Sequence, residues 1–228
     1  TTATGITAAG QNNRNNTFLI DGLSIDDNRN SNIRGTLSLD AVSEFMVLSN
    51  SYSAEYGQAS GAVINLLTRS GTNQYHGRAF YYHRDDWWDA TPGAALLVSP
   101  QETKSQLEQQ VAGGVVGGPV RRDRIFFFGS TEQTNRDTEQ FVTSTVLQVF
   151  RPGAAKRLPV TSRSTLAFGR GDINAGASQI TVRYRLDRIR ETNQTSDSQS
   201  VGLIAPERHA DVTRFNQDAA VLYNRVVG

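Results

Sequence analysis

The pattern of hydrophobic positions changes character near residue 74. Before that point the apolar runs are short. TFLIDG and EFMVLSN predict brief strands, LDAVS suits one helical turn, and polar loops separate them. The segment GAVINLLTR is apolar at nearly every position, which predicts a strand covered on both faces. Residues 1 to about 73 therefore predict a small α+β unit.

Longer strands are predicted from Tyr75 to the end of the chain. The segments are YHGRAFYYHR, QQVAGGVVGGPV, RIFFFGSTEQT, RSTLAFGRGD, SQITVRYRLDRIRE and DVTRFNQDAAVLYNRV. Their connections alternate between about twenty residues and a tight turn, such as the one at 119–124. Long loops on one side and short turns on the other are typical of an outer-membrane β-barrel. The pattern therefore predicts antiparallel strands of a barrel wall.

One segment, ITVRYRLDRIR, shows why these strands suit a membrane. Even positions from Ile180 to Leu186 are apolar or aromatic, and odd positions from Thr181 to Asp187 are polar or charged. A bilayer has no water to satisfy the backbone, so a closed barrel turns apolar side chains to lipid and polar ones to the lumen. Thr181, Arg183, Arg185 and Asp187 are thus predicted to face the lumen.

Composition excludes several classes of function. The 228 residues carry a net charge of +1, so no basic field exists to bind nucleic acid. The absence of cysteine excludes disulfides, thiolate zinc sites and cysteine nucleophiles. No serine elbow, paired carboxylates or histidine constellation with a mechanism is present, so we expect neither an enzyme nor a cofactor. The ends carry no signal peptide or cap, and we expect the chain to be a fragment of a longer protein.

Two local motifs are better explained by structure than by chemistry. His76 and His83 lie seven residues apart on a predicted strand, which is too far for both to bind one metal ion together with Asp85 and Asp86 without a special backbone arrangement. We therefore interpret these residues as part of the wall. The tripeptide RGD at 170–172 looks like an adhesion motif, but we predict a short turn there, where Gly and Asp are common.

Three segments resemble a known family when they are taken together. NNTFLIDG, LDAVSEFMVLSNSYSAEYGQASGAVINLLTRSGTNQYHG and VAGGVVGGPVRRDRIFFFGSTE occur in the order and spacing of TonB-dependent outer-membrane receptors. The resemblance is greatest to the Oar-like group, which carries a carboxypeptidase-regulatory-like domain upstream. The plug signature of this family corresponds to Asp21, Gly22, Tyr56, Gly57, Gly61, Asn65 and Thr68.

This resemblance implies both an architecture and a function. Residues 1–73 would be the end of a plug domain, and residues 74–228 the first strands of a barrel that has around 22 strands in plugged relatives, so the barrel here would be partial. The protein would lie in the outer membrane of a Gram-negative bacterium and import a large or scarce ligand, such as an oligosaccharide, a metal chelate or a peptide. Its partners would be outer-membrane lipid and the inner-membrane TonB complex, with no nucleic acid.

Other functions stay open at the level of sequence. The chain could belong to an outer-membrane or surface binding and assembly protein without transport, or form a soluble β-sandwich binding module. Tyr75, Tyr81, Tyr82, Trp87 and Trp88 suit the aromatic girdles of a barrel. Asp85, Asp86, Trp87 and Trp88 could instead bind a sugar in an outer loop, although we favour an interfacial anchor.

Overall fold

The computed structural model describes residues 16–27, 32–33, 35–49, 53, 61–89, 106–141, 149, 157–194 and 210–226. These residues form a small sheet, a two-stranded ribbon and one large sheet. No helix in these ranges is both long and apolar enough to span a bilayer.

The small sheet belongs to the N-terminal unit, which we define as residues 16–68. Its elements are β1 (Thr17–Ile20), β2 (Leu23–Ser24), β3 (Asp26–Asp27), β4 (Asn32–Ile33), a 3-10 turn (Leu39–Ala41), β5 (Val42–Leu48) and β6 (Val63–Thr68). The sheet order is β2-β1-β6-β5, with β6 parallel to β1 and antiparallel to β5. Strands β3 and β4 form the separate ribbon.

Strand β6 is the centre of this unit. Val63 and Ile64 are both 0% exposed, and because neighbouring residues on a strand point to opposite faces, both faces are covered. Ile64 packs with Phe18, Ile20 and Ile25 on one of them. The prediction of a strand buried on both faces is therefore confirmed.

The large sheet is an antiparallel meander. Its strands are β7 (His76–Asp85), β8 (Leu107–Arg121), β9 (Ile125–Phe141), β10 (Arg157–Ala175), β11 (Ser178–Gln194) and β12 (Ala210–Arg225). Each pairs with the next, so β7 and β12 are the edges and these six strands do not close a barrel. The connections at 122–124 and 176–177 are short, whereas those at 86–106, 142–156 and 195–209 are long. The predicted alternation is confirmed.

The turn predicted at the RGD tripeptide is wrong. Strand β10 continues through it to Ala175, and the chain turns at Gly176 and Ala177 instead. Gly171 pairs with Val182 inside the ladder, so its lack of a side chain does not end the strand. Gly176 has a φ of +62°, which is the left-handed conformation that a tight turn requires.

The two faces of the large sheet differ. On one face the N-terminal unit packs through Ala41 against Phe128 and Phe168. The other face exposes apolar and aromatic side chains, among them Val116, Ile173, Val182, Tyr184, Val221 and Tyr223. The alternation along β11 agrees with this division, because Thr181, Arg183, Arg185 and Asp187 are buried and Val182 and Tyr184 are exposed.

Candidate functional site

The tight turn after β1 is the centre of the candidate site. Asp21 and Gly22 both have positive φ angles, +48° and +81°. The Gly22 N–H donates to Oδ1 of Asn65 at 3.1 Å. The Asp21 carboxylate accepts the N–H and the hydroxyl of Thr68, both at 2.8 Å. Because β1 runs parallel beside β6, four residues of the predicted signature meet at one end of the small sheet.

Two arginines of the large sheet face this cluster. Nη1 of Arg170 donates to the Thr68 hydroxyl at 2.8 Å and to the Thr68 carbonyl at 3.1 Å, and it lies 3.7 Å from Oδ1 of Asp21. Nη1 of Arg183 lies 3.6 Å from Oδ2 of Asp21. The Asp21 carboxylate is therefore held between guanidinium groups on two neighbouring strands.

The wall side of this junction is braced from within the large sheet. Arg170 donates from Nε and Nη2 to the carboxylate of Asp172, with distances between 2.9 and 3.1 Å. The Thr181 hydroxyl donates to the same carboxylate at 2.7 Å. Arg170 pairs with Arg183, and Asp172 with Thr181, across β10 and β11. These two cross-strand pairs are neighbours on the inner face, and the bonds to Asp172 fix the direction of Arg170 independently of the N-terminal unit.

A second junction lies further along β11. The Thr36 N–H donates to Oδ2 of Asp187 at 2.9 Å, and Arg185 donates to the Thr36 carbonyl at 3.3 Å. Nε of Arg185 also donates to Asp218 on β12 at 2.6 Å. Gly35 has a φ of +82°, and a Cβ there would lie 2.5 Å from Oδ2 of Asp187. Other residues are strained at this φ, and their Cβ would force the Asp187 carboxylate to move.

A third set of contacts joins the 3-10 turn to the wall. The Ser38 hydroxyl donates to Oε2 of Glu132 at 2.8 Å, and Asp40 forms an exposed ion pair with Arg78. Ala41 is fully buried beside these contacts. The N-terminal unit thus meets β7, β9, β10 and β11 mainly through polar and charged groups.

Some buried polar atoms at the junction have no hydrogen-bond partner among the described residues. Within the part of the chain that the structure describes, Nε of Arg183, Oδ1 of Asp187 and Oγ of Ser130 are buried and have no hydrogen-bond partner. Such groups lose hydration without full compensation when the two surfaces meet. The net stabilisation of the junction is therefore smaller than its number of charged contacts suggests.

The remaining predicted signature residues fall into two groups. Tyr56 and Gly57 lie outside the described residues. Gly61 is buried beside Ala62, whose N–H donates to Oδ1 of Asn16 at 2.9 Å. This contact fastens the start of β6 to the residue before β1, at the opposite end of the pair from Asp21.

The predicted loop residues do not join the junction. Asp85 ends β7, and Asp86, Trp87 and Trp88 form a 3-10 turn after it, on the side of the long connections. Asp85 accepts the Trp87 N–H at 2.8 Å, which caps this turn. Trp87 and Trp88 are 82% and 70% exposed. Their role as an interfacial anchor or a ligand contact stays a prediction, and none of the described His, Asp and Glu residues form a group of three that could hold a metal.

Sequence reasoning missed the wall side of the junction as a site. The alternation along β11 correctly turned Arg183, Arg185 and Asp187 inward, but Arg170 and Asp172 were assigned to a turn. The same alternation in RSTLAFGRGD would have placed Phe168, Arg170 and Asp172 on one face. That spacing was the signal available for these residues.

Comparisons with known proteins agree with this architecture. A protein-family model described as "Outer membrane beta barrel domain" matches residues 67–222, more than half of the chain. The TonB-dependent transporter Oar of Myxococcus xanthus is 29% identical over 130 residues, which are 54% of this chain and 12% of that protein. The resemblance to TonB-dependent receptors is thereby confirmed, and the chain spans only a small part of this relative's length.

A solved structure shares the fold. The outer membrane transporter YddB from Escherichia coli superposes with a TM-score of 0.68 and 12% sequence identity, over 97% of this chain and 30% of that chain. Both sheets of the chain therefore have counterparts in one larger transporter structure. At this identity the likeness concerns the fold alone.

Proposed function

The chain belongs to the outer membrane β-barrel domain family, and we propose that it is the plug-to-wall portion of a TonB-dependent transporter. In this proposal residues 1–73 are the end of the plug domain and residues 74–228 are the first wall strands. Membership of this family means that the protein lies in the outer membrane, so the alternative of a soluble β-sandwich module is dropped.

The buried charged junction is the observation that supports the plug assignment most directly. Asp21 and Thr68 of the N-terminal unit contact Arg170 and Arg183, which lie on the face opposite the exposed apolar side chains. In an outer-membrane barrel the apolar face meets lipid and the opposite face lines the lumen. A unit attached to the lumen face blocks the path through the barrel, which is what a plug does.

A blocked lumen implies that transport needs an input of energy. The three sets of contacts hold the N-terminal unit at four of the six strands, so the path stays closed until all of them separate together. We propose that the inner-membrane TonB complex supplies the work that displaces the plug. The ligand would be an oligosaccharide, a metal chelate or a peptide too large or too scarce for passive pores.

The experiment uses cells that carry the full-length gene. Surface binding and uptake of a candidate ligand are measured with and without the proton-motive complex of the inner membrane. We expect binding to persist and uptake to stop when the complex is absent. Uptake that continues unchanged would contradict energised transport, and binding without uptake in either strain would favour a binding or assembly protein of the outer membrane.

A matched pair of variants tests the plug itself. Arg170→Ala removes the braced contact to Thr68, whereas Arg78→Ala removes the exposed ion pair with Asp40 and a contact with the Phe80 ring on its own strand. We expect Arg170→Ala to admit a bulky antibiotic that the intact outer membrane excludes, and Arg78→Ala to leave resistance unchanged, because only Arg170 holds the buried end of the N-terminal unit. Equal resistance of both strains, at equal protein levels in the membrane, would contradict the plug assignment.

A further inference from the structure

A cavity of about 370 Å³ lies between the N-terminal unit and the inner face of the large sheet. Residues 36–39 form one side of it, and the wall side comes from β8 to β12. Its wall residues lie between the Arg170 junction and the strand ends that lead into the long connections. This volume is within the range of roughly 300–1,000 Å³ that is usual for small-ligand sites.

The register of the strands arranges the lining in rows. Gln109, Arg136, Ser162 and Glu191 stand directly opposite one another across β8, β9, β10 and β11. Neighbouring strands lie about 4.8 Å apart, so Arg136 and Glu191 are separated by roughly 10 Å across the sheet. The next row toward the junction contains Thr134, Ser164, Ile189 and Arg214. Polar and apolar positions therefore share one surface.

The charged side chains that line this cavity differ in whether they already have a hydrogen-bond or ion-pair partner. Within the described part of the chain, the guanidinium group of Arg136 has no hydrogen-bond or ion-pair partner. Glu191 is already paired with Arg214 at 2.5 Å. Glu132 accepts the Ser38 hydroxyl through Oε2 and can accept a further donor. The cavity thus offers one unengaged cation and, four residues earlier on the same strand, a carboxylate with remaining capacity.

The surface between these charges is apolar. Leu37, Leu166 and Ile189 line it, and none of the described lining residues is aromatic. A sugar would lack an aromatic ring to stack on. An anionic metal chelate would meet Glu132 and Glu191 as well as the arginines. A zwitterion with an apolar body matches both the separated charges and the aliphatic surface.

We propose that this cavity binds a short peptide with free termini and an apolar side chain. Its C-terminal carboxylate binds Arg136, its ammonium group is directed to Glu132, and its side chain packs on Leu37, Leu166 and Ile189. This assignment rests on the proposed transporter function and names the ligand class of its lumen. A peptide amine bound to Glu132 shares this carboxylate with Ser38 of the N-terminal unit, so the site is in contact with the plug.

The test measures equilibrium binding to the full-length protein purified in detergent. The probe is the tripeptide Ala-Leu-Ala with free termini, compared with its C-terminal amide and with maltotriose. We expect the free tripeptide to bind at least tenfold more tightly than the amide, because a charge-assisted hydrogen bond contributes about 1.5–3 kcal/mol. Arg136→Gln is expected to remove this preference and leave the affinity for the amide unchanged.

The matched control is Arg188→Gln. Arg188 lies on β11 near the same height of the sheet but points to the opposite face. We expect it to bind the free tripeptide like the unmodified protein. Equal affinity for the acid and the amide, an equal loss in both variants, tighter binding of maltotriose, or no binding of the tripeptide at millimolar concentration would each overturn the assignment.

This measurement is independent of the test of transport. Binding to purified protein needs no inner-membrane complex, so peptide binding can fail while another ligand is still taken up with energy. Conversely, if the peptide binds and its uptake does not depend on the inner-membrane complex, the peptide site is supported and energised transport is contradicted.

Discussion

Asp21→Asn is the substitution that tests the charged junction most selectively. Asparagine has the same shape as aspartate and tolerates the left-handed backbone at this position, where φ is +48°. Its side-chain oxygen can still accept the Thr68 N–H, and the Thr68 hydroxyl can still bond to the amide. The variant therefore removes the negative charge and leaves the turn in place.

The expected loss of docking free energy follows from the groups that lose their partner. Arg170 keeps the carboxylate of Asp172, so it remains paired after the substitution. The side chain of Arg183 is only 3% exposed and loses the carboxylate 3.6 Å away. Removing one partner of a buried ion pair costs about 3–5 kcal/mol. We expect the docking of the N-terminal unit on the wall to weaken by about 3 kcal/mol, at the low end of this range, because only Arg183 loses its ion-pair partner and Asp218 still interacts with its charge.

The assay is amide hydrogen exchange of the full-length protein in detergent. About 3 kcal/mol corresponds to a roughly hundredfold larger population of the open state. When the exchange rate follows the equilibrium population of the open state, peptides that cover β6 should exchange faster by that factor. The Thr68 amide is the most direct reporter, because Asp21 is its acceptor.

Asp40→Asn is the matched control. It makes the same chemical change in the same unit, but Asp40 pairs with Arg78, whose side chain is 57% exposed. Exposed pairs contribute about 0–1 kcal/mol, so exchange in β6 should change by less than about fivefold. Unchanged protection in Asp21→Asn, or equal effects of the two substitutions, would refute the idea that burial makes this junction strong.

Three further outcomes are expected. Gly71→Ala should lower the temperature of thermal unfolding, because a Cβ there would lie 2.3 Å from the Phe127 carbonyl oxygen and disturb the link between the two sheets. Gly169→Ala should leave that temperature unchanged, because a Cβ there would meet no atom within 4 Å. Bulky residues at Gly57 or Gly61 should increase leakage of a bulky antibiotic more than they reduce surface binding of ligand. Residues 1–228 alone should aggregate in buffer and disperse in detergent, since two edges and an apolar face are uncovered; a monodisperse monomer in size-exclusion chromatography would argue against this.

Sequence reasoning succeeded where the environment of a residue is set by its own strand. The continuous apolar run of β6 predicted burial on both faces, and the alternation in β11 predicted which side chains turn inward. Both are consequences of the two-residue period of a strand. The alternating loop lengths likewise follow from the chain crossing a membrane repeatedly.

Sequence reasoning failed where a contact joins distant parts of the chain. Thr68 and Arg170 are 102 positions apart, and no local pattern shows that the end of β6 meets the middle of β10. The same holds for Gly35, where a Cβ would meet the carboxylate of Asp187, 152 positions later in the chain (187 minus 35). These pairings depend on how the N-terminal unit seats on the wall, which is a tertiary property.

If the N-terminal unit is a plug, as proposed, the polar character of the junction explains how it can hold firmly and still separate from the wall. Opening an apolar contact would cost about 25 cal/mol of free energy for each Å² of apolar surface that returns to water. At the Asp21 junction, separation returns Asp21, Arg170 and Arg183 to water together, and their hydration offsets much of the lost attraction. Asp21→Asn differs because it leaves Arg183 buried without that hydration. In the proposed plug, charged contacts would therefore resist substitution strongly but resist a concerted opening much less.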